Sequence, residues 1–394
     1  MEQNRILMFT MGKWSHSNAA IARALKQQLP TWELLEIDLL QEFKRERRNI
    51  AACIKDIPFM LGVALRELKL DYTNIIYAPA TARHINALAN RLKQQHRPSL
   101  TLQTTTRFDA SGGGIPHFTV IDSTLAAVRH RYREKFNASN SALDRLSDFQ
   151  QRIFSSSNGV FTMGRYVRDS LVKDYGIAPH LAVAIGAGPN IELGLRSNVV
   201  SSSNILFVGT HWERKGGPIL LEAFRRIKHR HPGATLTIVG CHPVINEPGV
   251  NVVGRVSKEH LHQYFSQARV FALPTEHEAF GIAFVEALHF GLPIIATGIN
   301  AIPEMVENGV NGYTIALGDV EAMATALDKI YTHDLITRDF SNASFERASQ
   351  FTWEQAGRIL SENILHLAKH DQAAAGNSRQ TPHRFNALQP GSAS

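Results

Sequence analysis

Apolar positions along the chain fall into short runs separated by amphipathic, helix-length stretches. Runs at 5–9, 31–39, 74–77, 100–105, 118–121, 159–162 and 181–185 read as strands. Between them, 18–29, 84–95 and 168–175 carry helical spacing, the last closed by Gly176. The series then restarts. Strand-like runs occupy 205–209, 235–239, 250–253, 269–273, 293–297 and 313–315, with helices at 218–228, 258–268, 282–290, 320–331 and 353–369. Strands alternating with helices, twice over, predict two parallel-sheet α/β domains with a cleft between them. The Ser-rich stretch 197–204 is where the junction is expected. Residues 1–195 and 204–352 are then the two domains, and the polar segment 371–394 a disordered tail.

Composition narrows the class. The chain has 394 residues, 44% hydrophobic and 20% charged, enough for two packed cores. Its two cysteines, Cys53 and Cys241, form neither a disulfide framework nor a zinc spacing, which fits a reducing cytoplasm. No apolar run approaches the ~18 residues of a membrane span. The net charge of +7 favours polyanionic partners. No nucleic-acid motif accompanies it, so nucleic acid is set aside. Within 41–70, Lys44, Arg45, Arg47 and Arg48 stand beside Phe43 and Ile50. Such a segment either lies on an anionic membrane surface or packs its apolar side on its own domain. The corresponding expectation is a cytoplasmic protein, peripheral on the inner face of the membrane if the first reading holds.

Several positions carry candidate chemistry. Gly12 sits in a strand–loop–helix layout suited to an anion, without a dinucleotide fingerprint. The loop 109–114, with Gly112, Gly113 and Gly114, reads as mobile and acceptor-facing. Asp122 closes the strand 118–121, so it is either a crevice residue or the N-cap of the next helix. His117 begins that strand and belongs at the far end. In the second half, Gly209 ends a strand, and Arg214 and Lys215 put two cations at the mouth of a helix. That suits a diphosphate, although two such residues alone could simply be solvated. Glu278 precedes a helix and Glu286 lies within it, among Phe284, Val285, Ala287 and Leu288. Taken alone, the two carboxylates could be the acid/base pair of a glycoside hydrolase. The neighbouring cations shift the reading to an activated, phosphorylated sugar.

Taken together, these pieces resemble the retaining glycosyltransferases of family 4, with the GT-B fold. The resemblance is carried by Phe207-Val208-Gly209, Arg214-Lys215-Gly216-Gly217, Pro274-Thr275-Glu276-His277-Glu278-Ala279-Phe280-Gly281 through Glu286, Gly291-Leu292-Pro293, Ile302-Pro303-Glu304, Asn308-Gly309-Val310-Asn311-Gly312 and Phe351-Thr352-Trp353-Glu354. It covers about residues 150–360 well and the first half loosely. It implies two Rossmann-like domains and a last helix crossing back onto the first. It implies metal-free transfer, with retention, from a nucleotide-diphosphate sugar such as a UDP- or GDP-sugar. The acceptor would be a sugar, a lipid-linked sugar or a small molecule, in glycolipid, cell-surface polysaccharide or glycan synthesis. Glu278 would hold the sugar, Glu286 the ribose, and Lys215 with Arg214 the diphosphate. Phe280, Gly281 and Ile282, with Gly209, Thr210 and Gly12, would complete the donor site, and Asp122 would stand near the acceptor. Two departures are visible: Thr210 replaces a common arginine, and Gly12 stands where a glycine pair is usual. They leave a catalytically inactive nucleotide-sugar-binding protein as the alternative.

Overall fold

The computed structural model describes residues 4–12, 17–45, 79–132 and 140–378. Within these, the first sheet contains β1 (Arg5–Thr10), β2 (Glu33–Asp38), β3 (Leu100–Thr104), β4 (His117–Ile121), β5 (Gly159–Thr162) and β6 (Ala182–Ala184). Its order is β2-β1-β3-β4-β5-β6, and every pairing is parallel. The second sheet contains β7 (Asn204–Val208), β8 (Thr235–Val239), β9 (Val250–Gly254), β10 (Val270–Leu273), β11 (Ile294–Thr297) and β12 (Gly312–Ile315). Its order is β12-β11-β10-β7-β8-β9, again parallel throughout. The chain therefore folds as the GT-B pair of Rossmann-like layers.

The period-two pattern of β1 explains how its sheet is covered. Leu7 and Phe9 enter a core with Leu39, Phe43, Leu88 and Phe108, whereas Ile6 and Met8 face Ile21 and Leu25 on the other side. The long helix Trp353–Ser378 returns to that second face. A Cβ on its Gly357 would stand 2.7 Å from Ala24 Cβ, so the glycine is what lets it lie against the helix Ser17–Gln28. Trp353 Nε1 also donates to Pro189 O at 2.9 Å, which fixes the start of the crossing.

Some expectations are corrected. The helix Trp353–Ser378 continues into the stretch expected to be a disordered tail. The stretch where the junction is expected, 197–204, lies against the second layer. Ser197 Oγ donates to Ala268 O, and Arg196 reaches Ser341 and Asn342, so the chain is already docked on the second layer there. A fifteen-residue helix, Asp334–Ala348, has no counterpart in the hydrophobic pattern.

The glycine loop is not an acceptor-facing lid. Lys93, 3% exposed near the end of the helix Pro79–His96, donates to the carbonyls of Ala110, Ser111 and Gly112 at 2.8–3.0 Å. That helix ends where β3 begins, so the loop is pinned at the amino edge of the sheet, opposite the crevice. Burial lowers the Lys93 pKa, opposed by Asp109.

Of the basic segment, Lys44 and Arg45 lie in the helix Leu39–Arg45, whose Leu39 and Phe43 are buried in their own core. Phe43 is thus unavailable to a bilayer, and the rest of 41–70 lies outside the described residues, as do the expected strand 74–77 and residues 379–394. Among the described residues, no helix is long and apolar enough to cross a membrane.

Candidate active site

The second sheet reverses its strand order between β7 and β10, which are neighbours although two strands intervene in the chain. In an open α/β sheet, ligands bind outside the carboxyl ends of the strands at such a reversal. The loop after β7 carries Gly209, Thr210, Arg214 and Lys215, and the loop after β10 carries Glu278, Phe280 and Gly281. The pieces singled out by sequence therefore flank the reversal.

Backbone geometry stitches the two loops together. Glu276 N donates to Arg214 O at 3.0 Å, and Arg214 Nη1 donates to His277 O at 3.1 Å. Gly216, at φ +74°, begins the helix Gly217–Arg230. A side chain there would overlap the Pro274 carbonyl, so this close approach requires glycine. Within the loop, Lys215 Nζ donates to Glu278 Oε2 in an ion pair whose side chains are 12% and 14% exposed. Gly209 backs this lysine: a Cβ on it would meet Lys215 Cγ at 3.0 Å. Thr210 is exposed at the mouth.

Gly281, at φ +100°, opens the helix Ile282–His289. Its first N–H groups have no partner within the helix, and they start at the reversal point. The Phe280 ring is 2% exposed and faces Phe351 at 6.4 Å, so its side chain is core and its backbone is what the site can use. Ile282 is half-buried. Glu286, 5% exposed, accepts from Asn190 N at 3.1 Å. Burial pushes its pKa up to about 7, opposed by the Asn190 N–H and by Lys258. Lys258 Nζ in turn donates to Asn190 O at 3.3 Å, so both backbone groups of this residue between the two sheets are held from the second layer.

On the first sheet, Thr124 caps the helix Leu125–Tyr132 through Ala127 N at 3.1 Å. Asp122 is thereby relieved of the N-cap role and follows the carboxyl end of β4. Its carbonyl accepts from Tyr166 Oη at 3.2 Å, and the same hydroxyl donates to Ala279 O, next to Glu278. Gly12 lies at the end of β1 at φ +68°, its N–H directed at Asp38 Oδ1 at 3.3 Å and its carbonyl bonded by Asn18. His117 belongs to the core: its ring bonds Thr101 Oγ1 at 2.7 Å and Gln103 Oε1 at 3.0 Å, and burial lowers its pKa to about 3.

Asn300, Lys258 and Tyr166 escaped the sequence reading, and Glu304, quoted there within Ile302-Pro303-Glu304, was given no role. Asn300 Nδ2 donates to Glu278 O at 2.6 Å from a left-handed backbone, φ +52°. Lys258 faces Glu286, and Tyr166 and Glu304 meet across the two layers. Among the described residues, no cluster of His, Cys, Asp or Glu forms a metal centre.

Residues 202–333 match the family model for glycosyl transferases group 1, the segment that holds Gly209, Lys215, Glu278 and Glu286. The chain therefore carries the sequence signature of glycosyl transferases group 1 over its second layer. It is 27% identical over 292 residues to the D-inositol 3-phosphate glycosyltransferase of Corynebacterium diphtheriae, covering 65% of this chain and 68% of that relative. Two solved structures share the glycosyltransferase fold over nearly the whole chain. Sucrose-phosphate synthase from Thermosynechococcus elongatus superposes with a TM-score of 0.65 at 15% identity, covering 95% of this chain and 100% of that one. Anabaena Alr3699/HepE in complex with UDP and glucose does so with a TM-score of 0.60 at 15% identity, covering 96% and 100%.

Proposed function

We propose that this chain is a glycosyltransferase that moves a sugar from a nucleotide-diphosphate donor to an acceptor hydroxyl with retention of configuration and without a metal. The observation that carries the reading is the Lys215–Glu278 pair, held across β7 and β10 where the sheet reverses. A cation and a carboxylate there suit one ligand that carries both a diphosphate and sugar hydroxyls. Lys215 and Arg214, with the first N–H groups of Ile282–His289, would neutralise the diphosphate as the anomeric C–O bond breaks. Glu278 would hold the sugar hydroxyls. The acceptor hydroxyl attacks the anomeric carbon on the face the diphosphate leaves, and its proton passes to the departing phosphate oxygen. Glu286, deeper on the same helix, would accept the ribose hydroxyls. Asp122 would stand near the acceptor.

The HepE complex with UDP and glucose supports a donor of this class by fold analogy. The acceptor is proposed as a sugar, lipid-linked sugar or small molecule, read by loops of the first layer. A thermal-shift panel of UDP, GDP, ADP and their sugars tests the donor class. One nucleotide should raise the melting point in a dose-dependent way, because a ligand of the folded state stabilises it. Turnover of the corresponding sugar should persist in excess chelator. A flat response to the whole panel contradicts the proposal.

A further inference from the structure

We propose that Tyr166 is a positioning residue, a hydrogen-bonded strut that sets the separation of the acceptor-side and donor-side layers at the point of transfer. The inference concerns this chain's own geometry and rests on the transfer reading above for its kinetic consequence.

Tyr166 lies in the first turn of the helix Arg165–Tyr175, after β5. Its hydroxyl is shared between Asp122 O, at the carboxyl end of β4, and Ala279 O, in the donor loop. One side chain thus ties the carboxyl end of β4 to the loop that follows β10. A second set of contacts fixes the same turn from the other layer. The helix begins at Gly164, which has no side chain to cap it. Glu304, from the helix Ile302–Met305 of the second layer, supplies the missing acceptor: Oε1 takes the Tyr166 N–H at 3.2 Å, and Oε2 pairs with Arg165 Nε at 3.4 Å. A carboxylate at a helix N-terminus is favourable both as a cap and against the helix dipole. Gly164 itself admits the contact, since a Cβ there would lie 3.1 Å from Ala301 Cβ and 2.9 Å from the Tyr166 ring.

The chemistry suits a strut rather than a proton carrier. Burial raises the Tyr166 pKa, and Asp122, Glu278 and Glu304 raise it further, while Ser123 opposes the shift. The hydroxyl stays protonated, and its one hydrogen is shared between the two carbonyls. Both acceptors are backbone atoms, and Arg214 and Asn300 hold the donor loop independently, so what Tyr166 controls is the position of Asp122 against that loop. Loosening the strut should let the acceptor layer drift while the donor site, built within the second layer, stays intact. Water would then compete better with the acceptor.

Tyr166→Phe removes the hydroxyl and keeps the ring. With UDP-glucose, UDP-GlcNAc and GDP-mannose as probe donors, the ratio of donor hydrolysis to transfer should rise about fivefold or more, on the scale of one lost net hydrogen bond. The donor KM should be unchanged, and small-angle scattering of the full chain should show a larger radius of gyration. Glu304→Gln should give a weaker change in the same direction. Tyr175→Phe is the control: its hydroxyl bonds Gln150 Oε1 at 2.8 Å inside the first layer, so stability should drop with the ratio and the scattering unmoved. If Tyr166→Phe leaves both the ratio and the scattering at wild-type values, or if Tyr175→Phe shifts them equally, the strut is refuted. If wild type turns over no nucleotide sugar, the transfer reading fails, and the scattering of Tyr166→Phe against Tyr175→Phe alone decides the strut.

Discussion

Lys215 and Glu278 form an ion pair across the junction of β7 and β10, with both side chains mostly shielded from water. A pair this enclosed is unlike a surface salt bridge, whose contribution is near zero to 1 kcal/mol by typical magnitudes. Breaking it from either side leaves a partly buried charge without its partner. Lys215→Met is therefore expected to lower stability by about 1–3 kcal/mol in urea unfolding, and adding Glu278→Gln should restore part of the loss. Turnover behaves differently. Each single replacement should cost roughly 10²-fold or more, and the double variant little beyond that, because the two groups act on one ligand. Additive losses in both measurements would mean that the pair does not work as a unit.

Glu286 makes stability depend on pH in a calculable direction. Its ordinary value is 4.5 and the folded value about 7, raised chiefly by burial, with the Asn190 N–H and Lys258 opposing. A raised carboxyl pKa means that the fold favours the neutral form. Its contribution is present below about 4.5 and is lost as pH rises through about 7. The loss can reach about 3 kcal/mol, from roughly 1.4 kcal/mol per pKa unit. Glu286→Gln should flatten the unfolding free energy across this window relative to wild type. Nucleotide affinity in wild type should rise with pH through the same window, since the carboxylate is the better acceptor of ribose hydroxyls. Equal slopes for wild type and Glu286→Gln would contradict the assignment.

Gly216→Ala tests the stitching of the two loops. The substitution combines a left-handed backbone, φ +74°, with overlap of the Pro274 carbonyl. It should cost about 2–4 kcal/mol and abolish donor binding with the same change. Gly233→Ala, where no atom lies within 4 Å of the added carbon, should be close to neutral. Comparable melting points for the two variants would show that the loops do not need this approach.

The strands among the described residues, the reversal-point loops and the last helix were legible because each rests on a local signal: apolar runs, glycine at a strand end, or helical spacing, whereas the crossing of that helix came from the resemblance. The helix Asp334–Ala348 was not, because it buries hydroxyls as well as hydrocarbon. Thr337, Ser341 and Ser344 face inward and donate to the carbonyls of Ile330, Gly291 and Leu292. A helix that docks through hydroxyls onto orphan carbonyls leaves little apolar periodicity to read. Tyr166, Asn300 and Lys258 were missed for a different reason. Each acts on a residue far away in the chain: Tyr166 on Ala279, Asn300 on Glu278 and Lys258 on Asn190. The glycine loop misled because three adjacent glycines suggest freedom, whereas Lys93 removes it by a contact that sequence does not display. At Asp122 the sequence allows a cap, a role that Thr124 takes instead.

The central claim is that Glu278 and Lys215 hold an activated sugar for transfer rather than split a glycan. Its most direct test is a proton NMR time course of the anomeric signal with the nucleotide sugar selected by thermal shift, comparing wild type with Glu278→Gln. The account predicts that wild type consumes the donor and forms a first product of the same anomeric configuration, and that Glu278→Gln does so at least about 10²-fold more slowly. An inverted product, or a Glu278→Gln enzyme as fast as wild type, would contradict it.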